Sequence, residues 1–131
     1  MKRRALVIDD DVYCLDISVE YFLDKDFSVA SELRATCSMM KKGLDTCPMS
    51  EPCYDFILSD NRMPDMTGLE FFTYQRQAGC KVSPQRKALI SGDISDKDQK
   101  EAKEFGYTIF KKPCPLSTLD QWIDSLSIAR G

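Results

Sequence analysis

The sequence predicts an α/β fold: a doubly wound (βα)5 three-layer sandwich, with a parallel sheet between two layers of helices. Two observations carry the prediction. Short apolar runs of strand length alternate five times with stretches whose apolar residues recur at helical spacing. The first run, ALVI at 5–8, is continuous rather than alternating, as in a strand covered on both faces. For a chain of 131 residues the strand order 2-1-3-4-5 is the common solution, although pattern alone leaves the order open.

The elements follow in order. After ALVI, apolar residues recur at Val12, Leu15, Val19, Phe22 and Leu23, which predicts a helix. FSVA at 27–30 reads as a second, weaker strand. Leu33, Cys37, Met40 and Leu44 then share one helical face, and CPMSEPC at 47–53 holds two prolines and reads as loop. YDFIL at 54–58 is the third strand and leads into Asp60. Thr67 is placed to cap a helix through Glu70, with Leu69 and Phe72 facing inward. ALIS at 88–91 is the fourth strand. The segment 94–105 is helical but strongly charged; with only Ile94, Ala102 and Phe105 as an apolar stripe, it should be the least buried helix. YTIF at 107–110 is the fifth strand. KKPCP turns the chain into an amphipathic helix carrying Leu116, Leu119, Trp122, Ile123 and Leu126.

Length and continuity predict one domain over 1–131, with no linker and no effector domain after the last helix. A net charge of -3 without a basic stripe argues against nucleic acid as the main partner. No apolar run is long enough for a signal peptide or a membrane span, so a cytoplasmic protein away from the membrane is expected. Six scattered cysteines, Cys14, Cys37, Cys47, Cys53, Cys80 and Cys114, contain no CxxC pair and read as free thiols. The chain has no histidine. That excludes Ser-His and Cys-His nucleophile pairs, and any phosphohistidine chemistry must use a partner's histidine.

In a doubly wound sheet, ligands sit outside the carboxyl ends of the strands. Those ends carry chemistry here. The first strand finishes in Asp9, Asp10 and Asp11, the third in Asp60, the fourth in Ser91, the fifth in Lys111 and Lys112 before Pro113. Neighbouring strands are roughly 5 Å apart, so these groups can share one pocket. Carboxylates gathered there repel one another, and Mg²⁺ would relieve the conflict through Asp9, Asp10, Asp60 and the backbone carbonyl of Arg62. A hydroxyl from Ser91 and a lysine ammonium could hold the oxygens of a phosphoryl group. Nucleophile, metal, hydroxyl and cation together suit phosphoryl transfer onto aspartate. Asp11 reads more simply as a helix N-cap.

VIDDD (7–11), LSDNRMPDMTGLEF (58–71), LISG (89–92) and KKP (111–113), in that order and each at a strand end, resemble the receiver domains of the bacterial response-regulator family. The resemblance spans essentially the whole chain. It implies a flavodoxin-like fold of order 2-1-3-4-5, Asp60 as phosphoacceptor, and Asp9 and Asp10 as the acidic pair that holds Mg²⁺, with Asp10 favoured as direct ligand. Ser91 matches the hydroxyl that turns toward the phosphoryl group. Lys112 matches the phosphate-pairing lysine, favoured over Lys111 because it directly precedes Pro113. Implied partners are a histidine kinase or phosphotransfer protein, a downstream protein target, and a second copy in a phosphorylation-dependent dimer. Beyond accepting and hydrolysing its own phosphoryl group, no enzyme activity is expected.

One position departs from the family. An aromatic residue commonly lies three positions before the paired lysine; here it is Ile109, flanked by Tyr107 and Phe110. The usual switch from hydroxyl to aromatic ring is therefore in question. Arg62 and Asp93 are placed to screen the phosphoryl group from water. The alternative reading is a phosphorylation-independent interaction module on the same fold; retention of the acidic pair, acceptor and lysine argues against it. A phosphatase or nucleotide enzyme is weaker still, for want of a P-loop or a Gly-rich dinucleotide turn.

Overall fold

A computed structural model describes residues 2–129. Five strands, β1 (Arg4–Ile8), β2 (Ser28–Glu32), β3 (Phe56–Asp60), β4 (Lys87–Ser91) and β5 (Thr108–Lys111), form one sheet of order β2-β1-β3-β4-β5. Every pairing is parallel. The helices are α1 (Val12–Asp24), α2 (Ser38–Lys41), α3 (Gly68–Gln77), α4 (Asp96–Glu104) and α5 (Leu116–Ala129), with a single 3₁₀ turn at Pro84–Arg86 before β4.

The period of two along each strand divides the core. Ala5, Val7, Phe56, Leu58, Ala88 and Phe110 point to one face, where α1 and α5 bring Leu15, Phe22, Leu119, Trp122 and Ile123. Leu6, Ile8, Ile57 and Leu89 point to the other, against Leu69 and Phe72 of α3 and Ala102 of α4. On the first face, Phe22, Phe27, Phe56, Trp122 and Phe110 form a chain of edge-to-face rings with centroids 4.9 to 5.9 Å apart. The Trp122 indole N–H is satisfied by Gln85 O at 2.8 Å, as a buried Trp requires.

Local signals explain most helix starts. The Asp11 side chain caps α1 by accepting from the N–H groups of Tyr13 and Cys14. Thr67 and Glu70 form both arms of a capping box on α3. Ser95 caps α4 by accepting from Asp98 N–H. Within α4 only Ala102 is buried, as its charged sequence predicts.

The second helix departs from expectation. A face running from Leu33 to Leu44 predicts three turns, but α2 spans only Ser38–Lys41, and Leu33 and Leu44 are exposed. Cys37 precedes it with no side-chain cap bond, and Gly43 at φ 69° ends it in the left-handed region. Met39 takes the buried place and Met40 is half-buried. At the third strand the shift is smaller: β3 starts two residues later than YDFIL predicts and runs through Asp60 itself. The carboxylate thus stands on the sheet, not on the loop after it.

Candidate functional site

Sheet register assembles the site. Ile8 pairs with Ser59, so Asp9 and Asp60 are the next residues along adjacent strands. Ser91 pairs with Lys111 across β4 and β5, one residue before Lys112. An open cleft of about 550 Å³ lies over these ends, lined by Asp10, Asp11, Asp60, Arg62, Ser91 and Lys112 among others.

Two carboxylates at the floor are buried: Asp9 at 3% exposure and Asp60 at 6%. Asp10 is exposed beside them. One oxygen from each of Asp9, Asp10 and Asp60 lies within 4.8 Å of the others. Asp9 Oδ1 accepts the Asp11 N–H at 3.0 Å, and Asp9 Oδ2 accepts from Lys112 Nζ at 3.0 Å. Lys112 Nζ also stands 3.7 Å from Asp60 Oδ2, while Asp60 Oδ1 accepts the Arg62 N–H at 3.4 Å.

The charges are not balanced by the lysine alone. Burial, and then the charge of Asp9, pushes the Asp60 pKa up to about 6, against the opposing pull of Lys112 and the Arg62 N–H. Burial would lower the pKa of Lys112, but its hydrogen bond to Asp9 and the charges of Asp9 and Asp60 outweigh it, and the net shift is upward. An acidic trio facing a single ammonium is an oxygen-donor set that suits a hard divalent cation such as Mg²⁺. The lysine beside it is Lys112; the side chain of Lys111 is exposed. The Lys112–Pro113 peptide is cis.

Ser91 is buried, and its Oγ accepts the Asp93 N–H at 3.2 Å, leaving its own proton free to be donated. Across the mouth, Arg62 Nη2 meets Asp93 Oδ2 at 3.5 Å with both side chains largely in solvent. Ile109 is half-buried against the face of the core that holds α3 and α4. Tyr107 and Phe110 are both buried, on opposite faces of the sheet. Cys114 is half-buried against the α1–α5 face.

One residue that holds the site together was not singled out in the sequence. Asn61, 5% exposed, donates its N–H to Ile90 O at 3.3 Å and accepts the Gly68 N–H on its own carbonyl at 3.0 Å. Its side-chain Oδ1 accepts the Leu69 N–H at 3.0 Å. Both ends of the loop after Asp60 are thus tied to one residue. The available signal was an asparagine, able to accept through both its amide oxygen and its carbonyl, set between a buried strand and a capping box. Gly68 closes the other end: a Cβ there would lie 2.6 Å from Asp60 O.

Fold and site together define a doubly wound α/β domain with an acidic cleft at the carboxyl end of its parallel sheet. No protein-family model and no curated protein sequence matches the chain. Solved structures do. Chemotaxis protein CheY4 of Vibrio cholerae is 23% identical at a TM-score of 0.73, covering 95% of this chain and 98% of that one. A response regulator receiver protein of Pseudomonas putida is 17% identical at a TM-score of 0.77, with 95% and 98% covered. The receiver domain of Francisella response regulator 1452 is 17% identical at a TM-score of 0.76, with 99% and 100% covered. At these identities the likeness carries the fold: this chain has the architecture of CheY-like receiver domains over nearly its whole length.

Proposed function

We propose that the chain is a response-regulator receiver that accepts a phosphoryl group on Asp60 and thereby switches a protein-binding surface. The observation that carries the reading is the joint approach of Asp9 and Lys112 to Asp60, with Asp10 completing an acidic trio within 4.8 Å.

Asp60 is the nucleophile. With its pKa near 6 it is largely ionised at neutral pH, while Lys112 keeps its proton. A carboxylate oxygen attacks the phosphorus of a phosphohistidine on a histidine kinase or phosphotransfer protein. The P–N bond breaks, the imidazole departs with the bond's electron pair, and an acyl phosphate forms on Asp60. Lys112 pairs with a phosphoryl oxygen, and Ser91 donates its hydroxyl proton to another. Asp9, Asp10, Asp60 and the Arg62 carbonyl would hold Mg²⁺, which supplies neutralisation of the clustered carboxylates and of the incoming phosphoryl charge.

The response begins at Ser91. Drawing its hydroxyl toward the acyl phosphate pulls on the segment leading to α4, a nine-residue helix with one buried residue, Ala102, and hence little to lose by moving. Ile109 has no ring to turn, so in this chain the movement leaves through α4 and the adjoining β5 edge. A downstream protein or a second copy of the chain would read that surface, in the cytoplasm where kinases of this class deliver phosphate.

The test is intact mass after incubation with a small acyl phosphate donor, with and without Mg²⁺, beside Asp60→Ala. One phosphoryl group gained, dependent on metal and absent in the variant, is the expected result. A folded chain that gains none from either the donor or a phosphorylated kinase would leave a phosphorylation-independent binding module in its place.

A further inference from the structure

A second cluster lies at the opposite edge of the sheet, where the strands begin. A cavity of about 330 Å³ is lined by Cys37, Cys47, Cys53 and Cys80, together with Met39 and Gln75. Two of the cysteines are held against the end of α3: Cys47 donates its N–H to Ala78 O at 2.8 Å, and Cys80 to Gln75 O at 2.9 Å. Cys37 is buried; the other three are half-buried and open to a small solute. All are free thiols, and the receiver chemistry uses none of them.

Lys87, the first residue of β4, sits behind this cavity at 2% exposure. Its ammonium donates to Gln75 Oε1 at 2.9 Å and lies 5.6 Å from the centre of the Phe72 ring. Among the described residues no carboxylate lies within ion-pair distance of it. A buried ammonium without an anion is costly. Burial lowers the Lys87 pKa, and the groups that oppose this are sulfurs, Cys80 first. Burial raises the pKa of the Cys53 thiol, and Cys80 adds to the shift in the same direction. Cys80 thus shares its cavity with Cys53, and its backbone N–H and the Lys87 ammonium are both bound by Gln75.

A thiophilic metal is the obvious competitor for such a cluster. However, only the aspartates bring three ligand atoms within 4.8 Å among the described residues, so the sulfurs are not set for a metal. A disulfide needs only two of them.

We propose that Cys80 and Cys53 form a redox pair, which a hydroperoxide oxidises to a disulfide across this cavity. The Cys80 sulfur attacks a peroxide oxygen and the O–O bond breaks. The departing oxygen takes the thiol proton and leaves as water or alcohol, and Cys80 becomes a sulfenic acid. The Cys53 sulfur then attacks the Cys80 sulfur, the S–O bond breaks, and the hydroxyl leaves as water with the Cys53 proton. Two thiols lose two electrons, and the hydroperoxide gains them. The buried Lys87 ammonium, held by Gln75 behind the cavity, favours negative charge developing on a sulfur there as its proton leaves. The bridge ties the entry of β3 to the end of α3, at the far end of the sheet from Asp60 and Ser91.

The experiment treats the reduced full chain with hydrogen peroxide, blocks remaining thiols, and maps peptides by mass. Expected is a first bridge between Cys53 and Cys80, with the free thiols falling from six to four. Cys53→Ser should leave a sulfenic acid on Cys80 that a cyclic 1,3-dione captures, and Cys80→Ser should lose both bridge and capture. Lys87→Met should slow bridging about tenfold without changing which sulfurs pair. Circular dichroism on each variant establishes that it is folded. A first bridge between other cysteines, an unreactive folded chain, or Cys80→Ser reacting like the parent overturns the proposal; an unchanged rate in Lys87→Met removes Lys87 from it.

Discussion

Lys112 holds Asp9 more closely than it approaches Asp60, with Nζ to Oδ2 distances of 3.0 and 3.7 Å. The cation is anchored by the carboxylate that is not the proposed acceptor, so it can serve a phosphoryl group on Asp60 without giving up Asp9. Lys112→Met should therefore act twice. It should destabilise the fold at pH 7 by about 1–2 kcal/mol, by leaving two buried carboxylates facing each other. It should also blunt the response to phosphoryl donor. Chemical denaturation and a phosphorylation time course read the two effects separately.

Asp60 gives a pH dependence of the opposite sign to that of most carboxylates. Its folded pKa, about 6, lies above the ordinary value, so the folded protein binds the proton more tightly than the unfolded chain. The stability this confers is complete below about pH 4 and is lost as pH rises through about 6. Asp60→Asn cannot ionise and keeps it. Without metal, the variant should be more stable than its parent by about 2 kcal/mol at pH 7.5 and nearly equal near pH 4. Added Mg²⁺ should narrow the gap at pH 7.5 by stabilising the parent alone. Denaturant midpoints at both pH values, with and without metal, check this; a gap of the same size at both would contradict it.

Gly68 tests the packing of the loop against the acceptor strand. A Cβ there would meet Asp60 O at 2.6 Å and Leu89 Cδ2 at 2.7 Å. The first of these is backbone and cannot swing aside. Gly68→Ala should cost about 2–3 kcal/mol and shift the Asp60 amide resonance, even though alanine favours a helix start. Unfolding curves and an amide spectrum suffice to see it.

Arg62 and Asp93 should separate stability from chemistry. Their contact, at 3.5 Å, is between largely solvated side chains, where ion pairs contribute little. Asp93→Ala is expected to change stability by less than about 0.5 kcal/mol. If the pair screens the acyl phosphate from water, the same change should shorten the lifetime of the phosphorylated form. Following loss of the phosphoryl mass over time decides it, and an unchanged lifetime would remove the pair from the mechanism.

The sequence was most readable where two signals agreed. Strand β1 was legible from ALVI, and α3 from a capping box beside inward apolar residues, because local chemistry and burial ask for the same residues there. The approach of Asp9, Asp60 and Lys112 followed from their places at strand ends, which a parallel sheet must align. The segment after β2 was harder to read. Four apolar residues at helical spacing suggested three turns, yet Leu33 and Leu44 meet no surface that could cover them; periodicity shows only that a face exists. Asn61 was not legible because its role rests on hydrogen bonds to Ile90, Gly68 and Leu69; the first is brought near only by the sheet, and the others only by the closing of the loop.

The double tie at Asn61 has a consequence for how such a site can change. Because the segment from Asn61 to Leu69 is fastened at its base, the exposed Arg62, Pro64 and Asp65 form an exchangeable cassette. New side chains there could reset how long a signal lasts or which partner delivers it, while the strand beneath, and the carboxylate on it, kept their place.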